Sequence, residues 1–266
     1  MKKEICYSDL ALLTQPIEAN IELLLEHGAD KIELLMDGLQ WDAMDDQIAR
    51  MSKVLPQYNV GYTVHPPAWD TSLTSENKAI REASFSEYAK AIQFAHNIGA
   101  EHVVIHPGFC FSPVFDKEIA QMRAADAIHR LCKIAAPLGV KLAVENVGYK
   151  GASIFSEAEF AAFLDGMDSV AGYLLDTGHA YLNDWDIPAL IRSISHRLLA
   201  VHLHDNYATG DDHLPIGEGG ISWEPVFATL AQTAPDCQLI LEYAPGTELV
   251  KLQQGKSMLL ERLQLV

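Results

Sequence analysis

Apolar positions in this chain follow two rhythms that alternate from end to end. Short, nearly continuous runs rich in Val, Ile and Leu suit strands buried on both faces. Between them lie longer stretches whose apolar positions recur every three or four residues, the spacing of a helix with one buried face. The first rhythm predicts strands over Glu4–Ser8, Lys31–Met36, Asn59–His65, His102–His106, Lys141–Asn146, Gly172–Asp176, Leu198–His204 and Gln238–Tyr243. The second predicts helices over Pro16–His27, Glu76–Ile98, Asp116–Leu138, Ser156–Leu164, Asp186–Ile194, Trp223–Thr233 and Leu249–Leu263. Gly28, Gly99 and Gly139 stand where helices should stop, and Ser156-x-x-Glu159 reads as a capping box. Met36 and Met258 read as core filler.

Strands alternating with helices argue for parallel strands joined by right-handed crossovers. Eight such units predict an α/β fold, a (β/α)8 barrel, in a single domain over residues 1–266. An open doubly wound sheet is the alternative. No GxGxxG follows the first strand, which counts against a dinucleotide-binding version of it.

The strand-like runs end in a consistent way. His65 follows Val60–Val64, His106 follows Val103–Ile105, and Glu145 follows Leu142–Val144. Asp176 follows Leu174–Leu175 with His179 three residues on, His202 follows Leu198–Val201, and Glu242 follows Leu239–Leu241. A carboxylate or imidazole at the end of a buried strand is costly unless paired, protonated or metal-bound. In barrels of this kind the C-terminal strand ends form the catalytic face. Glu145, Asp176, His202 and Glu242, at the ends of strands five to eight, make an oxygen-rich set that suits one Mn²⁺, Mg²⁺, Co²⁺ or Zn²⁺. His65, His106, His179, Asp211 and His213 surround them as further candidate ligands for metal or substrate. Proline after His65 and His106 would end each strand and hold the imidazole at the rim. Asp176-Thr177-Gly178-His179 reads as one tight turn. His204 shares a face with His202 but reads as a hydrogen-bonding core residue, outside the metal set.

Composition narrows the partners. Apolar residues make up 49% of the 266, enough for a large core. The net charge of −17, from 36 acidic and 19 basic residues, opposes binding to nucleic acid or an anionic membrane. No apolar run approaches a membrane span and no leader pattern opens the chain, so a soluble, cytoplasmic protein is expected. Cys6, Cys110, Cys132 and Cys237 form no CxxC pair and read as reduced, buried thiols.

Four segments carry a resemblance: Val144-Glu145-Asn146, Leu175-Asp176-Thr177-Gly178-His179, His202-Leu203-His204-Asp205-Asn206 and His213-Leu214-Pro215-Ile216-Gly217-Glu218-Gly219. With them the chain resembles, over nearly its whole length, the xylose-isomerase-like TIM barrels. This superfamily joins sugar (phosphate) isomerases and epimerases with zinc-dependent apurinic endonucleases. Its isomerase branch implies that Glu145, Asp176, His202 and Glu242 hold one divalent metal, and that Glu145 and Glu242 exchange protons with the substrate carbon. A metal stabilising the enediolate, with a carboxylate on each side of the carbon, would give epimerisation or aldose–ketose exchange. The endonuclease branch implies up to three zinc ions on His65, His106, Glu145, Asp176, His179, His202, Asp211, His213 and Glu242, and all nine residue types are present.

The first reading is therefore a metal-dependent isomerase or epimerase of a small sugar, sugar phosphate or related polyhydroxy carbonyl compound. The second is a multi-zinc phosphoesterase of the apurinic endonuclease type, and the third a non-catalytic metal- or sugar-binding barrel. The acidic charge and the few cations in the loops after the strands (Lys150, Lys78 and Arg81) oppose DNA repair and, more weakly, a phosphorylated substrate. Trp41, Trp69, Phe109, Tyr149, Tyr181 and Trp185 are rim aromatics that can cover a sugar or pack under a loop. Trp69, Asn146 and Lys150 are the expected substrate contacts, and a homo-oligomer is possible on acidic barrels of this size.

Overall fold

A computed structural model describes residues 3–263. Eight parallel strands close into a barrel in the order of the chain: β1 (Ile5–Ser8), β2 (Lys31–Leu35), β3 (Gly61–His65), β4 (His102–Ile105), β5 (Lys141–Glu145), β6 (Ala171–Asp176), β7 (Leu198–Leu203) and β8 (Gln238–Leu241). The helices between and after them are α1 (Ile17–Glu26), α2 (Met44–Val54), α3 (Lys78–Ile98), α4 (Lys117–Leu138), α5 (Glu157–Ala162), α6 (Thr177–Leu182), α7 (Ile187–Ile194), α8 (Trp223–Thr233) and α9 (Leu249–Leu263). The fold is a (β/α)8 barrel, and all eight predicted strands are present with ends within two residues of expectation.

Local chemistry explains most boundaries. Asn77 and Asp116 cap α3 and α4 by accepting backbone N–H bonds, and Gly99 and Gly139 end them at φ of 70° and 71°, where a side chain would be strained. The Ser156–Glu159 capping box is formed, although α5 ends at Ala162, short of the predicted Leu164. Two helices lie outside the predicted set. Helix α2 carries an apolar stripe at helical spacing, Met44, Ile48, Met51 and Val54, but only Met51 of it is buried and most of the remainder is polar. The segment 176–179, read as a tight turn, is instead the start of α6: Asp176 is the N-cap and its Oδ1 accepts the His179 N–H at 2.6 Å. Met36 is buried as expected, whereas Met258 is only half-buried.

The chain packs as two compact units, one made of the segments up to Glu33 and from Tyr173 onward, the other of Leu34–Gly172. In the second unit, β4 runs beside β5 with Ile105 opposite Val144, which brings His106 beside Glu145 one residue later. In the first unit, β6 pairs with β7 so that Asp176 lies opposite His202, and β7 pairs with β8 with Leu203 opposite Leu241. β8 pairs with β1, and β1 with β2, where Ser8 lies opposite Glu33. Register therefore decides which acids and imidazoles meet within each unit. All four cysteines are buried, and among the described residues no helix is long and apolar enough to cross a membrane.

Candidate metal and catalytic residues

In the unit 34–172, His65 ends β3, His106 follows β4 and Glu145 ends β5. All three side chains are buried. His106 Nε2 lies 3.0 Å from Glu145 Oε2, and His65 Nε2 lies 3.8 Å from the same oxygen. The His65 Nδ1–H donates to the Pro66 carbonyl at 2.8 Å, so in the neutral ring Nε2 keeps its lone pair on the Glu145 side. The two rings meet edge to face at 4.9 Å. These residues offer three donor atoms within 4.8 Å of one another, a spacing that suits one cation. Asn146 is buried next in sequence, whereas Trp69 is 63% exposed and Lys150 is exposed with its ammonium 5.7 Å from the Tyr149 ring.

Asp37, which the sequence reading passed over, shapes this rim. Its carboxylate accepts the Ala68 N–H at 2.7 Å and so ties down the segment after His65. Burial pushes the carboxyl up from 3.8 to about 6, against the lowering effect of the Ala68 bond. The folded protein thus favours protonated Asp37, and stability is lost as pH rises from about 4 through 6. Asp37→Asn keeps an acceptor without the charge. It should stabilise the fold by about 2 kcal/mol at pH 8 and by nothing near pH 3.5, as read from denaturant midpoints of both proteins. An equal difference at the two pH values would contradict this.

The other unit holds a larger cluster. His202 on β7 is fully buried, with Nδ1 3.2 Å from Glu242 Oε2 and 3.9 Å from Asp176 Oδ2. Its Nε2 lies 3.1 Å from Glu33 Oε1. His204 Nε2 bonds Asp176 Oδ2 at 2.8 Å, and its ring stacks on His213 at 3.9 Å. Asp211 Oδ2 sits between His179 Nε2 at 3.2 Å and His213 Nε2 at 3.3 Å. Burial pulls the His213 imidazolium down, but its bond to Asp211 and the charge of Glu242 outweigh this and raise it to about 9. Burial likewise pushes Asp211 up, and the two imidazoles hold it well below the usual carboxylate range. Burial keeps His204 below its ordinary value, so its ring is a neutral donor to Asp176.

The segments around these residues have plain structural jobs. Thr177 Oγ1 lies 3.0 Å from the carbonyls of both His202 and His204 and ties α6 to the end of β7. Gly178 leaves room for His204: a Cβ there would fall 2.0 Å from its ring. Asp205 accepts N–H bonds from Asn206 at 3.0 Å, Gly217 at 3.1 Å, Ile221 at 3.0 Å and the Trp223 indole at 2.7 Å. That one buried carboxylate folds back the loop carrying Asp211 and His213.

Donor chemistry fits a divalent cation in both clusters. Buried carboxylates of like charge repel unless protonated or bridged by a cation, and here the basic groups beside them are imidazoles, themselves good ligands. Glu33–His202–Glu242 and His204–His213–Glu242 each gather donor atoms within 4.8 Å. Glu33 and His204 thus join a constellation that the sequence reading drew without them. Glu33 lies inside its strand, not at the end, and its one signal in the sequence is a lone acid within the apolar run Ile32–Leu35.

The chain is 26% identical over 270 residues to uncharacterized protein MJ1311 of Methanocaldococcus jannaschii, covering 97% of this chain and 89% of that one. It is 24% identical to the inosose isomerase of Bacillus velezensis, covering 86% and 84%. It is 26% identical to a probable endonuclease 4 of Thermoplasma volcanium, covering 69% of each. Among solved structures, a D-tagatose 3-epimerase-like protein superposes with a TM-score of 0.85 at 23% identity, covering 99% and 98%. The IolI protein with a bound zinc atom superposes with a TM-score of 0.83 at 17% identity, covering 98% and 99%. The family model described as xylose isomerase-like TIM barrel matches residues 21–261, and the chain belongs to that family.

Proposed function

We propose that this protein is a divalent-metal-dependent isomerase or epimerase of a small sugar or a related polyhydroxy carbonyl compound. The observation that carries the reading is His202 Nδ1 facing Glu242 at 3.2 Å and Asp176 at 3.9 Å, all three buried at strand ends. The strand-end rule of (β/α)8 barrels adds Glu145 as the fourth ligand. Inosose isomerase and epimerase relatives support the substrate class. A bound divalent cation would supply positive charge beside the oxygen that becomes anionic when a neighbouring C–H proton leaves.

The remaining chemistry belongs to the side chains. Glu242 takes a proton from the carbon next to the carbonyl, and Glu145 returns one from the other side. Asp176 orients His204 and, through its N-cap bond, the start of α6. Asn146 binds substrate beside Glu145, while Trp69 and Lys150 cover it from the exposed rim. The acidic chain opposes nucleic acid and, more weakly, phosphorylated substrates.

One cation per chain is favoured over three. Asp211, which a second or third ion would need, is already neutralised by two imidazoles. One observation supports the second reading, a multi-zinc phosphoesterase: His65, His106 and Glu145 form a donor group of their own. Two measurements decide. Incubated in D₂O with metal and a panel of ketoses, aldoses and inososes, the protein should place deuterium on the carbon next to the carbonyl of at least one. Elemental analysis should find one divalent metal per chain. Three zinc ions and cleavage of an apurinic site, with no deuterium in any sugar, would establish the second reading instead.

A further inference from the structure

We propose that Glu33 is a positioning residue that fixes the tautomer of His202 and so presents His202 Nδ1 as the ligand atom. The inference rests on the metal site proposed above and adds a residue from the far side of the barrel strands. Glu33 lies inside β2, fully buried, opposite Ser8 of β1. Between it and His202 the sheet runs β2, β1, β8, β7. Its carboxylate nevertheless reaches the imidazole, with Oε1 at 3.1 Å and Oε2 at 3.3 Å from Nε2.

A carboxylate only accepts hydrogen bonds, so the atom facing Glu33 must be an N–H. A neutral imidazole has one proton. With that proton on Nε2, the lone pair is on Nδ1, and Nδ1 is the atom that faces Glu242 and Asp176. A lone pair aimed at two carboxylates is repulsive by itself and becomes a donor set once a cation lies among them. Glu33 also makes the ring a stronger donor, because negative charge behind an imidazole raises the basicity of its other nitrogen. An apolar side chain would fill the same place in β2 without the desolvation cost of a buried acid. Packing therefore gives no reason for a glutamate here; ligand orientation does.

The test uses the full-length protein, stripped with chelator and titrated with Co²⁺ at fixed pH by absorbance and calorimetry. Glu33→Gln should weaken Co²⁺ binding about 10-fold and Glu33→Leu about 100-fold. The metal-free Glu33→Leu protein should melt at or above the wild-type temperature, since a buried charge has been replaced by an apolar group. In metal-free wild type the ¹⁵N shifts of His202 should report the Nε2–H tautomer, and in Glu33→Leu a mixture of both. Should Glu33→Leu not fold, Glu33→Gln carries the affinity measurement and the tautomer assignment. Co²⁺ affinity within twofold of wild type in the Glu33 variants, alongside loss of binding in His202→Ala, would overturn the role of Glu33 and leave the metal site standing. Wild-type affinity in His202→Ala would overturn the metal site and this inference together.

Discussion

Glu242→Gln, assayed at saturating metal, is expected to lower turnover and solvent deuterium exchange about a thousand-fold. The substitution keeps the size and planarity of the side chain, so the packing around a residue only 5% exposed is preserved. It removes the capacity to accept a proton at Oε2, the oxygen 3.2 Å from His202 Nδ1 and 3.6 Å from His213 Nδ1. Some loss of metal affinity follows because one anionic ligand becomes an amide, which is why the assay must be run with metal content measured in the same sample. The two losses separate cleanly. A variant that binds metal and no longer exchanges deuterium has lost its base; a variant that exchanges at the wild-type rate with metal bound shows that Glu242 moves no proton. Glu145→Gln should behave alike in one direction of an epimerisation and exchange from the opposite face of the carbon.

Removal of the metal is expected to abolish turnover and to lower the melting temperature. With the cation at a hundred times its dissociation constant, binding to the folded state alone adds about 2.7 kcal/mol of stability. The cause is visible in the cluster: Asp176, His202 and Glu242 are all buried, and without a cation their mutual repulsion must be relieved by protons. The deficit should therefore grow as pH rises and be restored by Co²⁺, Mn²⁺ or Zn²⁺ but not by monovalent salt. Chelated protein with undiminished activity and an unchanged melting temperature would remove metal from the mechanism.

Much of this architecture was legible from side-chain patterning because barrel strands are short, apolar and bounded by helix stops. His65, Glu145 and Asp176 stand at the last position of their strands, and His106 and Glu242 one residue beyond. What stayed hidden depended on register or on three-dimensional reach. Glu33 meets His202 across 169 positions of sequence, through a barrel interior that no local window contains. His204 is the hydrogen-bonding core residue expected, buried and bonded to Asp176, and only its stacking on His213, brought over it by the loop after β7, lay beyond the sequence. Helix α2 was legible in the helical spacing of Met44, Ile48, Met51 and Val54 but is short and polar elsewhere, and only Met51 of that stripe is buried. The turn read into residues 176–179 was a helix start, since a single Asp satisfies either geometry and only the chain beyond His179 distinguishes them.

The four bonds to Asp205 hold the base of the segment between β7 and α8, and above it the crest is tied only locally, by Tyr207 N–H to Asp212 at 3.4 Å and Ala208 N–H to Asn206 Oδ1 at 2.8 Å. The crest is Tyr207-Ala208-Thr209-Gly210, with Tyr207 63% exposed. Side-chain exchanges there leave the four Asp205 bonds in place, so the crest is the part of this loop freest to vary.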